Sequence, residues 1–155
     1  MIIGITGTLG AGHGTIVEFL KEKGFMHYSV RDFLTEEVSK RGLEVNRDSL
    51  VLVGNELRKE FGPSYLVEEL YKKAEEMGGD CIIESIRCPG EIDALRMNGE
   101  FILMSVDADV QTRYARIYER AGATDRISFD EFLANEQREF VSDDPNKQNL
   151  KKCME

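Results

Sequence analysis

The stretch Gly7-Thr8-Leu9-Gly10-Ala11-Gly12-His13-Gly14-Thr15 follows directly on the apolar run Met1-Ile2-Ile3-Gly4-Ile5. The apolar run reads as a buried strand, and the residues from about Gly14 to Lys23 read as a helix ended by Gly24. A strand that turns through a glycine-rich loop into a helix is compatible with few folds. Glycines let the backbone curl so that successive N–H groups point inward at the positive end of the helix, which makes a seat for phosphate. Gly7, four residues, Gly12, a cation position, Gly14 and Thr15 match the phosphate-loop spacing with one exception. His13 stands where the pattern has lysine. Thr8, Leu9, Gly10, Ala11, Gly12, His13, Gly14 and Thr15 are therefore the expected contacts for a nucleotide's phosphates.

The same residues argue against a dinucleotide fold. Glycines at 7, 10, 12 and 14 do not give G-x-G-x-x-G, and Tyr28-Ser29 stand where an acid would hold a ribose. None of the five tyrosines has a lysine four residues on, as a short-chain reductase would need.

At 155 residues the chain reads as one domain, 1–155, able to bury about 70% of its unfolded surface without disulfides or metals. No stretch approaches the roughly 18 apolar residues of a membrane span, and no basic leader precedes the first strand. The odd set Cys81, Cys88 and Cys153 lacks paired metal spacing, and Cys81 reads as a core thiol, so a cytoplasmic protein is expected. A net charge of −9 argues against a nucleic-acid partner. Any cationic pocket must be local.

Strands are expected at 1–6, 25–28, 81–84 and 101–106. Between and after them, helices are expected from Ser29, over 46–61, from Ser64 to Gly78, over 90–97, from Asp107 or Asp109 to about Arg120, and from Ser128. Strands alternating with helices predict an α/β fold whose parallel sheet is covered on both faces. Ligands then sit beyond the carboxyl ends of the strands, where the glycine loop, Ser29–Asp32, Glu84–Arg87 and Asp107 converge.

Several residues there suit phosphoryl transfer. The Thr15 hydroxyl would ligate magnesium, and Glu84, read as the last residue of the third strand, would hold the metal or stand as a solvated carboxylate. Asp32 reads equally as a group that orients an attacking oxygen and as a helix-cap acid. Arg87 can grip an anionic acceptor bidentately. Arg116 and Arg120 share a helix face, with Arg126 in the loop beyond. Such charges stabilise the negative charge that spreads over phosphoryl oxygens in the transition state. Arg113, on the same helix, reads as an exposed charge balanced by Asp107, Asp109 and Glu119.

Together these residues resemble the nucleotide-kinase branch of phosphate-loop proteins. GTLGAGHGT is similar to the loop of adenylate kinases, and 30–77 lies where those enzymes keep a helical acceptor-binding segment. Ser29-Val30-Arg31-Asp32 resembles their serine-x-x-aspartate, Glu84-Ser85-Ile86-Arg87 their acid-to-arginine loop, and Arg116-x-x-x-Arg120 the arginines opening the lid. The short lid, about 120–128, is closer to dephospho-coenzyme A kinases and to an adenylate-kinase-related archaeal group. The resemblance implies a three-layer fold with strand order 2-3-1-4. It also implies transfer of the ATP γ-phosphoryl group, with Mg²⁺, to a nucleoside monophosphate or similar small acceptor. In that scheme His13, Asp32, Arg87, Arg116 and Arg120 are catalytic, Arg126 binds the donor, and Thr15 and Glu84 serve the metal.

Two departures follow. His13 is shorter than lysine and carries charge only when protonated, so the alternative is a nucleotide-binding protein without turnover. These kinases also place a fifth strand after the fourth, and here the sequence reaches Glu155 without one. Either the chain is cut short or the base is held differently.

Overall fold

In a computed structural model, which describes residues 1–121 and 126–155, four parallel strands form a sheet in the order β2-β3-β1-β4. They are β1 (Ile2–Gly7), β2 (Met26–Ser29), β3 (Cys81–Ile86) and β4 (Phe101–Val106). β1 is central, with Ile2 beside Cys81 on one edge and Phe101 on the other. All six of its residues are buried. A strand covered on both faces has no polar side to show, which explains the unbroken apolar run at its start.

One face is covered by α1 (His13–Glu22), where Val17 packs on Ile3, Ile5 and Ile82. The other carries α2 (Val30–Lys40), α3 (Arg47–Phe61), α4 (Tyr65–Met77) and α5 (Pro89–Arg96). Their Leu34, Val53, Leu66 and Leu95 enclose Ile83 and Ile86. The outcome is the three-layer α/β fold expected, with the expected strand order. The chain continues through α6 (Val110–Arg120), α7 (Phe129–Phe140) and α8 (Leu150–Met154), and Cys153 of α8 joins the core under α2–α5. Part of the expected lid, residues 122–125, lies outside the described residues.

Local chemistry explains most helix starts. Ser29 Oγ accepts from the Asp32 N–H at 3.3 Å, and Ser128 Oγ from Glu131 at 3.1 Å. Asn46 and Ser49 form a reciprocal capping box. Of the two candidate acids before α6, Asp109 is the cap, accepting from Gln111 and Thr112. Ser64 occupies the cap position of α4, but its hydroxyl takes none of the helix N–H groups.

β3 departs from the expected strand. It runs past Glu84 to Ile86, and the register with β1 jumps from Ile5–Glu84 to Thr6–Ile86. Ser85 is the extra residue of this bulge and sits at φ 67°, in the left-handed region. Glu84 is therefore not the strand's last residue; it precedes a bulge that re-aims the chain toward Arg87. Among the described residues no helix is long and apolar enough to cross a membrane, and the three cysteines are free and buried.

Candidate functional site

Gly7 leaves β1 at φ 134°, where a Cβ would overlap the Val106 carbonyl oxygen of the neighbouring strand. Gly10 stands at φ 83°, with the Arg113 carbonyl oxygen only 2.9 Å from where its Cβ would be. The loop thus threads between β4 and α6 because it has no side chains at these points. Thr8 N–H bonds to Val106 O at 3.1 Å, and its hydroxyl donates to Asp107 Oδ1 at 2.5 Å. The outward carbonyls are held from α6: Arg113 Nη1 donates to Leu9 O at 3.3 Å and Arg116 Nη1 to Gly10 O at 3.1 Å. The first-turn N–H groups of α1 have no intrahelical acceptor and remain for an anion. Gly14 and Thr15 are exposed. Gly7→Ala is expected to cost more than about 2 kcal/mol through backbone strain and to abolish any ATP-dependent rise in Tm. Thermal melts with and without Mg–ATP check this.

His13 opens α1 with its ring half-buried, and its Nε2 has no hydrogen-bond partner among the described residues. Burial, reinforced by the nearby Arg87, holds the imidazole below the ordinary histidine value; Glu84 and the carbonyls of Val106 and Thr8 pull the other way. Glu84 shares the α1 face of the sheet with Ile82, and its Oε1 lies 2.9 Å from His27 Nε2 on β2. Asp32 is exposed in the first turn of α2.

Arg87 lies at the centre of a cluster of charges. Burial lowers its pKa against the pull of Glu139, and Arg47, Arg58 and Arg31 push in the same direction as burial. Arg47 grips Glu139 with both arms of its guanidinium, Nε at 3.0 Å from Oε1 and Nη2 on Oε2, while Arg87 Nη1 is 4.0 Å from Oε2. Arg58 and Glu91, both fully buried, face each other at 3.5 Å. Burial pushes the Glu91 carboxyl up, against Arg58.

Arg113 corrects the reading of α6 as uniformly exposed. It is 4% exposed and forms a two-armed pair with Glu136 of α7 at 2.8 and 2.9 Å. Arg116 and Arg120 are exposed and linked, Arg120 Nε donating to Arg116 O at 3.4 Å. Arg126 instead stacks over Tyr118, 4.4 Å from the ring centroid, with Nε on Tyr118 O at 3.2 Å. The expected residues therefore separate into a loop group (8–15, Arg116), a β3 group (Glu84, Arg87) and the more peripheral Asp32, Arg120 and Arg126.

The sequence reading missed His27, Arg47 and Glu139. His27 lies within the second strand and Arg47 beside the Asn46 cap. Glu139 is one of several acids on α7, and nothing in its spacing marks it.

Comparison with known proteins shows the family and the fold. A family model described as an AAA domain (AAA_18) matches residues 3–142. A UPF0200 protein of Thermococcus sibiricus is 31% identical over 150 residues, covering 90% of this chain and 77% of that protein. One of Methanocaldococcus jannaschii is 30% identical over 143 residues, covering 90% and 73%. A solved structure from Thermus thermophilus superposes with a TM-score of 0.58 at 22% identity, covering 88% of this chain and 78% of that one. An uncharacterized protein from Eubacterium ventriosum gives 0.52 at 18%, covering 88% and 69%. These two share the fold.

Proposed function

We propose that this chain, which belongs to the AAA-domain family and to the UPF0200 proteins, moves the γ-phosphoryl group of ATP onto a small nucleotide-like acceptor. A nucleoside monophosphate or dephospho-coenzyme A has the required chemistry. The observation that carries the reading is the placement of the glycine loop after β1 and of Arg87 after the neighbouring parallel strand β3, at the same end of the sheet. In the reaction an acceptor oxygen forms a bond to the γ-phosphorus, the β–γ bridging P–O bond breaks, and ADP leaves. Asp32 is the candidate to take the acceptor's proton.

The residues present fit the donor and its metal. The loop's path leaves no room for a Cβ at Gly7 or Gly10, the first-turn amides of α1 have no intrahelical acceptor, and the buried His13 Nε2 is unpartnered among the described residues. Bound magnesium supplies charge neutralisation at the β- and γ-phosphates; Thr15 and Glu84 are the residues that would hold it. His27 keeps Glu84 oriented. Arg116 and Arg120 approach from α6, where Arg116 also braces the loop. The acceptor is a small anion rather than a nucleic acid, in keeping with the acidic composition, and the unpaired thiols suit the cytoplasm.

A second reading is favoured by one observation, the half-buried imidazole of His13 where the loop pattern has lysine: nucleotide binding without transfer. Two measurements test them, and the second separates them. Excess Mg–ATP at about a hundred times Kd adds about 2.7 kcal/mol of stability under either reading, so an unchanged Tm overturns both. A coupled assay over nucleoside monophosphates and dephospho-coenzyme A yields product only under the first.

A further inference from the structure

Between α3 and the segment running on from α7 lies a cavity of about 300 Å³, lined by Val51, Asn55, Arg138, Glu139, Lys147 and Gln148 among others. Gln148 is only 6% exposed, yet its Oε1 has no hydrogen-bond partner among the described residues, and neither has Asn55 Oδ1. Buried amide oxygens without donors carry a desolvation cost that a ligand's N–H or O–H groups would relieve.

Glu139 closes one end. It is 3% exposed, held by both arms of Arg47 and flanked by Arg87. The adjacent Arg138–Asp48 pair at 2.7 Å repeats the contact with its charges exchanged, so two bridges clasp the end of α7 to the start of α3. Arg47, Val51 and Asn55 recur every four residues on one face of α3, which lines up a guanidinium, an apolar contact and an amide. A guanidinium fork that grips a carboxylate grips a phosphate in the same way.

We propose that this cavity seats the phosphate acceptor and that Glu139 is its internal stand-in. The acceptor's phosphate monoester displaces Glu139 from Arg47 and Arg87, while Asn55 and Gln148 take the hydrogen-bonding groups of its base. The assignment takes the phosphotransfer reading as its premise, but binding at the cavity needs neither ATP nor turnover. Acceptor binding then also breaks one of the two bridges between α7 and α3 and leaves Arg138–Asp48 as the other.

Calorimetric titration of the full chain with inorganic phosphate tests this. Glu139→Gln is expected to bind phosphate about tenfold more tightly than the native chain, and adding Arg47→Gln to remove that gain. Phosphate held only in the glycine loop responds to neither change. Equal affinity in all three proteins, or a gain that survives Arg47→Gln, overturns the proposal whether or not the chain is a kinase. Asn55→Leu is expected to weaken binding of the four common nucleoside monophosphates about tenfold and leave inorganic phosphate unaffected. No loss, or equal loss for both, overturns the cavity's part. Should Glu139→Gln fail to fold, amide exchange in the native chain decides: saturating phosphate speeds exchange around Glu139, and unchanged or slower exchange there overturns the displacement.

Discussion

Replacing His13 with lysine is expected to raise the rate of phosphoryl transfer by about 10–100-fold. The native imidazole is half-buried beside Arg87, and both burial and that guanidinium hold it below its ordinary pKa of about 6.5. At pH 7 the free chain therefore presents a neutral group where phosphate charge develops. A lysine is charged there and longer, and a hydrogen bond to a charged group contributes about 1.5–3 kcal/mol, against about 1.4 kcal/mol for each tenfold in rate. The coupled assay with one acceptor, native chain against His13→Lys, measures the difference; an equal or slower variant would sink the idea that a missing cation limits turnover. The native rate should also rise on acidification, as His13 gains its proton below its ordinary pKa of about 6.5, while the variant's stays flat. Stability moves the opposite way. Below about pH 6.5 the unfolded chain takes up a proton that folded His13 resists, so folded stability falls with pH there, and His13→Gln removes that part of the slope.

Arg58→Met is expected to destabilise the chain by about 3–5 kcal/mol, because it leaves Glu91 buried without its counter-ion. Arg58 and Glu91 are both 0% exposed and 3.5 Å apart, and none of the Arg58 guanidinium nitrogens or Glu91 carboxylate oxygens has a hydrogen-bond partner among the described residues. For a chain of this size the loss corresponds to a Tm lower by roughly 6–20 °C. The double change Arg58→Met with Glu91→Leu removes both charges and should recover most of it, since a buried pair replaced by apolar residues of similar volume is often neutral. Urea melts of the two single variants and the double measure the coupling. A single-variant loss below about 1 kcal/mol would show that the pair is solvated in a way that Arg58's burial contradicts.

The features legible in the sequence were those that depend on near neighbours. The glycine spacing from Gly7 to Thr15 dictates the turn because tolerance of positive φ is a property of the single residue. Ser29 and Ser128 announce helix starts because a hydroxyl reaches an N–H only three residues on. The apolar runs at β1 and at Cys81–Ile83 of β3 identified strands because a sheet covered on both faces excludes polar side chains there. The bulge at Ser85 was not legible, since a positive φ at serine is imposed by pairing with β1, 80 residues away in the chain. Arg113 misled for a related reason: on α6 alone it is one charge among several, and only α7's Glu136 turns it inward.

Taken by itself, then, the chain's composition and pattern determined an α/β layer protein with a glycine-rich turn after its first strand, because hydrophobic period and backbone conformation are encoded residue by residue. Tertiary structure alone decided which arginine meets which carboxylate. Arg47 and Glu139 are 92 positions apart, and ion pairing is set by distance and desolvation after the layers have packed. No sequence spacing records that.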